Sequence, residues 1–99
     1  MPPSREPPLA AEVAEILAIQ GLGFIAQDGE RLGRFLALTG MGPTEIRQSA
    51  HDRHFLAGVL DYLAGDEELL IAFASHANVD PATIAIAQRV LAEGDDEGG

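Results

Sequence analysis

The residues that start and stop helices limit this chain's fold more than any other feature. Asp28, Asp52, Asp66 and Asp80 each precede an apolar segment. A carboxylate in that position accepts hydrogen bonds from the free N–H groups of a helix's first turn. Gly40 and Asn78 supply left-handed stops, and Gly65 ends a further segment. Pro43 and Pro81 stand at first helical positions, where the missing N–H costs nothing. No stretch alternates apolar and polar residues with period two, so no sheet is expected. The fold class that follows is all-α, a compact bundle of six short helices. They are expected over Leu9–Gln27, Gly29–Thr39 and Pro43–Ala50, then from Asp52 to Gly65, from Asp66 to Asn78, and from Pro81 to about Glu93.

The faces of these helices are read from period. In the first helix Leu9, Val13, Ile16, Leu17 and Phe24 recur at helical spacing and are expected to face the core. Gly21 and Gly23 weaken its second half by ~1 kcal/mol each relative to Ala, unless they permit a close helix crossing. The fourth helix has the cleanest stripe: Phe55, Leu56, Val59, Leu60 and Leu63. The fifth is apolar nearly all round between Leu69 and Ala74, which marks it as the expected buried centre of the domain. The alternative is an exposed docking face that could drive homodimerisation.

A length of 99 residues limits the chain to one domain with one core. Residues 1–8, with four prolines, are expected to form a flexible arm. Residues 9–93 form the helical domain, and the acidic residues 94–99 a disordered tail. Nothing in 1–8 resembles a signal peptide, and the longest apolar run, six residues, is far below the ~18 of a membrane span. A cytoplasmic location is therefore expected. Zero cysteines exclude disulfides, a thiol nucleophile and Cys-based metal sites. A net charge of −10 opposes non-specific binding to nucleic acid or anionic membrane, both polyanions.

A shift of 38 residues aligns Leu22–Ile46 with Leu60–Ile84 without a gap, with eight identities in 25 positions. They include Asp28/Asp66, Phe35/Phe73, Pro43/Pro81 and Ile46/Ile84, so caps meet caps and core positions meet core positions. Two readings stand. One is a pair of three-helix pseudo-repeats, 9–50 and 52–93, sharing one core. The other is the ordinary likeness of capped helices of similar length. Between the halves the basic residues differ: Arg31, Arg34 and Arg47 correspond to Leu69, Ala72 and Ala85.

Arg31, Arg34, Arg47 and Arg53 therefore form the one basic segment of an acidic chain, opposed within 31–53 only by Glu45 and Asp52. They are the candidate partner-binding residues. A basic middle with an acidic tail favours oriented contact with another protein. The plainer reading is a solvated face of ordinary ion pairs, Arg31 with Asp28 and Arg34 with Glu30. Leu32–Ser49 also has the order helix, Gly40, helix, which loosely fits a DNA-reading helix-turn-helix, though any small helical domain shares it. His51 and His54, three apart, could contribute to a metal site or act as bases. No Cys, third ligand or nucleophile completes either set, and His76 stands apart. No cofactor, metal or catalytic residue is expected.

Arg31–Gly40 (RLGRFLALTG), Asp66–Ala74 (DEELLIAFA) and Asp80–Ile84 (DPATI) together resemble domain-of-unknown-function family 3572. The resemblance spans most of residues 9–92. It implies a compact helical domain from a bacterial cytoplasm, and no substrate, cofactor or catalytic residue. The function expected is that of a non-catalytic protein-interaction or regulatory module. The alternatives are a nucleic-acid-binding regulator and a small His-based metal protein or enzyme.

Overall fold

Each expected aspartate cap forms. The Asp28 carboxylate accepts from the Glu30 and Arg31 N–H groups at 2.9 and 3.4 Å. Asp52 accepts from His54, Asp66 from Leu69, and Asp80 from Ala82, at 2.9, 3.2 and 2.9 Å. A computed structural model describes residues 9–97, with side chains described to Glu93. It has six helices: α1 Ala11–Ala26, α2 Gly29–Thr39, α3 Pro43–Ser49, α4 Arg53–Ala64, α5 Glu67–Ala77 and α6 Pro81–Glu97. There is no strand among the described residues. Gly40 and Asn78 both adopt the left-handed conformation, φ 71° and 60°, and end α2 and α5.

Two ends differ from expectation. α1 starts at Ala11 rather than Leu9, with Ala10 at its N-cap in extended backbone and no side-chain cap. α6 runs on to Glu97 rather than stopping near Glu93, so the backbone of 94–97, expected to be disordered, is helical. Each added residue of an established helix gains one backbone hydrogen bond without a new nucleation cost. The expected arm over 1–8 lies outside the described residues.

The core is built by α1, α4 and α6. α4 and α6 pair most extensively, and α1 packs on both. α2 lies against α1, while α5 packs on α4, α6 and the edge of α1. Leu56, Val59, Leu60 and Leu63 of α4 meet Ile84, Ala87 and Leu91 of α6 and Ala14, Leu17, Ala18 and Ile25 of α1 in one buried cluster. Phe35 and Phe73 plug it from α2 and α5. α5 is thus not the centre of the domain. It buries Leu69, Phe73 and Ala74, but Ile71 stays 52 % exposed, since α5 covers one side of the core. The α1 stripe is also corrected. Ala14, Leu17, Ala18, Gly21, Phe24 and Ile25 face inward, while Val13 and Ile16 face solvent.

Gly21 sits where α1 crosses α4. A Cβ built there would lie 2.6 Å from the Leu63 Cδ1 and 3.6 Å from the Phe73 ring. At Gly23 a Cβ would meet nothing within 4 Å. Only the first glycine serves a crossing.

The helix ends repeat under the 38-residue shift: Ala26/Ala64, Gly29/Glu67, Thr39/Ala77 and Pro43/Pro81. The packing does not establish a repeat: α3 has seven residues and buries Ile46 alone, while α6, at the corresponding place in the chain, packs extensively on α1 and α4.

Candidate functional site

The tight turn at Gln27–Asp28 folds α2 back beside the end of α1. That return brings Arg31 to Phe24, with the guanidinium carbon 4.6 Å from the ring centroid. A guanidinium on an aromatic face is held by the ring quadrupole and by its own planarity. Phe24 is fixed in turn against Phe73 and His76, with ring centroids 5.5 and 5.0 Å away. Arg34, one turn further along α2, opens onto the same side as Arg31.

Both arginines line a cleft of about 290 Å³ together with Tyr62, Asp66, Glu68, Leu69 and Ala72. Tyr62 is held edge-on by Phe35, with centroids 5.1 Å apart. Neither arginine has a carboxylate within 4.0 Å among the described residues. The helical-spacing pairs Arg31–Asp28 and Arg34–Glu30 do not form. The Asp28 carboxylate caps α2, its Oδ1 accepting from the Glu30 and Arg31 N–H groups. The cleft is therefore lined by two cations, two anions and a phenol.

The remaining basic residues lie elsewhere. Arg47 is exposed on α3, in the same seven-residue helix as the Glu45 that accepts from the Gly42 N–H at 2.8 Å. Arg53 is drawn across to α1, where its Nε donates to the Glu15 carboxylate at 3.0 Å. The four arginines do not make one continuous face: Arg31 and Arg34 share a cleft, and Arg53 is engaged by a carboxylate 38 residues away.

The histidines are dispersed. His51 is exposed in the turn before α4. His54 borders a separate cleft of about 380 Å³ with Gly58, Asp61, Gln88 and Ala92, where the Gln88 amide donates to Asp61 at 2.8 Å. No group of three or more His, Asp or Glu side chains able to hold a metal occurs among the described residues. No single helix there is long and apolar enough to cross a membrane.

Sequence reasoning found Arg31 and Arg34 but not Phe24 or Tyr62, the two rings that shape their cleft. The 38-residue shift does pair Phe24 with Tyr62, and that pairing was the only available signal.

In comparison with known proteins, the model of a family described as "Protein of unknown function (DUF3572)" matches residues 11–94, nearly the whole chain. No curated protein and no solved structure matches it.

Proposed function

The chain belongs to the DUF3572 family of proteins of unknown function, and we propose that it acts as a non-catalytic interaction module that docks a partner protein at the Arg31–Arg34 cleft. The observation that carries this reading is the state of Arg31. Its guanidinium lies on the Phe24 ring and the residue lines an open cleft, with no carboxylate within 4.0 Å among the described residues. A pre-ordered fork loses little freedom on receiving a partner's carboxylate, and that preorganisation raises affinity. Tyr62 adds a rigid amphipathic side chain of the kind enriched at protein interfaces. The carboxylates of Asp66 and Glu68 in the same cleft favour a partner segment that carries a base as well as an acid, which selects against simple polyanions. Arg47, on α3, and Arg53, engaged by Glu15, lie outside the cleft and take no part in the recognition proposed. The reading takes the protein to work in the cytoplasm.

The test is affinity capture from a native lysate, with and without nuclease, using the chain and its Arg31→Glu/Arg34→Glu variant. A protein retained after nuclease and lost with the variant is the expected result. A partner that binds the variant equally well removes the cleft from the reading. Recovery only of nucleic acid, or of partners released by nuclease, replaces it with nucleic-acid binding.

A further inference from the structure

We infer that residues 28–50, which carry α2 and α3, undock and melt from the rest of the fold as one local unit, so that the Arg31–Arg34 cleft is assembled only while that unit is closed. The segment's polar bonding is self-contained. Asp28 caps α2, and Glu45 accepts from the Gly42 N–H at the start of α3. Asp52, just beyond the segment, caps α4 and belongs to the core. Two backbone hydrogen bonds cross the boundaries: the Asp28 N–H donates to the Ile25 carbonyl at 3.3 Å, and the Asp52 N–H to the Ser49 carbonyl at 2.8 Å. Among the described residues, no side-chain hydrogen bond or ion pair joins 28–50 to another part of the chain. The Thr39 hydroxyl, like Glu45, bonds within the segment.

Apolar and aromatic contacts hold the segment instead. Phe35 and Ile46 are its two buried side chains, with Leu32, Leu36 and Met41 partly covered, whereas α4 alone buries four. Phe35 meets Phe55 and Tyr62 edge-on, with centroids 6.3 and 5.1 Å away, and Arg31 lies on Phe24. α2 packs extensively only on α1, and α3 on no other helix. A segment with few buried apolar contacts opens at a lower free energy than the whole domain. Once released it does not stay helical. α2 and α3 have 11 and 7 residues, and isolated helices shorter than ~12–15 residues are marginal in water. Gly29 and Gly33 weaken α2 further. Arg31 and Arg34 leave with the unit, while Tyr62, Asp66, Glu68, Leu69 and Ala72 stay with α4 and α5, so opening takes the cleft apart. Control of docking by this opening rests on the reading of the cleft as the docking site; the opening itself does not.

Native-state hydrogen exchange of the full chain without a partner, followed amide by amide by NMR over low urea concentrations, tests the opening. The amides of α2 and α3 should share one opening equilibrium, populated about tenfold or more above the global unfolding reported by the slowest amides of α1, α4 and α6. Its urea dependence should be the smaller, because less surface is exposed. Two substitutions separate local from global opening. Ile84 is fully buried on α6, which makes no extensive contact with α2 or α3, so the closed and open forms bear the cost of Ile84→Val alike. That variant should speed the slowest core amides about two- to tenfold and leave those of α2 and α3 unchanged. Phe35→Leu weakens only the closed form and should speed both sets by the same factor. One opening free energy and one urea slope throughout the chain overturns the inference. So do amides of α2 and α3 that open independently, a response of α2 and α3 to Ile84→Val equal to that of the core, or none to Phe35→Leu. Since no partner is present in this experiment, loss of the docking reading in the capture assay leaves its result standing, and the reverse holds.

Discussion

Substituting alanine at the two glycines of α1 should move stability in opposite directions. In a helix interior Gly→Ala gains about 0.5–1 kcal/mol, because glycine has more backbone freedom to lose. At Gly23 that gain is unopposed, since the new methyl meets nothing. At Gly21 the methyl falls 2.6 Å from the Leu63 Cδ1. Leu63 is fully buried among α1, α4 and α6, so it cannot swing into solvent to make room. Overpacking of that kind costs about 1–3 kcal/mol, which exceeds the helix gain. Gly21→Ala is therefore expected to lose about 1 kcal/mol, a Tm lower by about 4–8 °C in a domain of this size, while Gly23→Ala gains a few degrees. Thermal and urea unfolding followed by far-ultraviolet circular dichroism measures both. If Gly21→Ala proved as stable as Gly23→Ala, the close α1–α4 crossing would be wrong.

Three further outcomes follow from the core, the caps and the Arg53–Glu15 ion pair. Phe73→Ala removes a fully buried ring that anchors α5 and holds Phe24, and should cost about 3–5 kcal/mol, seen as loss of cooperative unfolding and gain of dye binding. Asp28→Ala leaves two N–H groups of α2 without their acceptor and should cost about 0.5–2 kcal/mol in urea unfolding. A double-mutant cycle on Arg53→Ala and Glu15→Ala should return a coupling of only about 0.2–1 kcal/mol that shrinks with salt, since both side chains are part-exposed. A larger, salt-independent value would give that pair a greater role than the structure supports.

Helix boundaries were legible in the sequence because capping is local chemistry. An aspartate before an apolar segment finds its N–H partners two or three residues away, whatever the rest of the chain does. The outward direction of a helix was less legible. Val13 and Ile16 share a period with Leu17 and Phe24, and period alone cannot say which side of an apolar helix meets the core. Ala14, Ala18 and Gly21 mark the inner face of α1 because small residues let α4 and α6 approach, a signal that hydrophobicity counting overlooks. α5 presented the reverse case: its apolar run reads as a central helix, yet it covers one side of a core built by α1, α4 and α6. The candidate site was half legible. Arg31 and Arg34 stand out by charge, but the stacking on Phe24 depends on the α1–α2 turn. The engagement of Arg53 by Glu15 depends on packing between residues 38 apart, which no local pattern encodes.

The claim that the Arg31–Arg34 cleft is the docking site is tested most directly by titrating the captured partner calorimetrically into the chain and three variants. Arg31→Glu/Arg34→Glu should abolish the heat of binding, while Arg47→Glu and Arg53→Ala, both outside the cleft, should leave it nearly unchanged. Full affinity in the Arg31→Glu/Arg34→Glu variant would contradict the account.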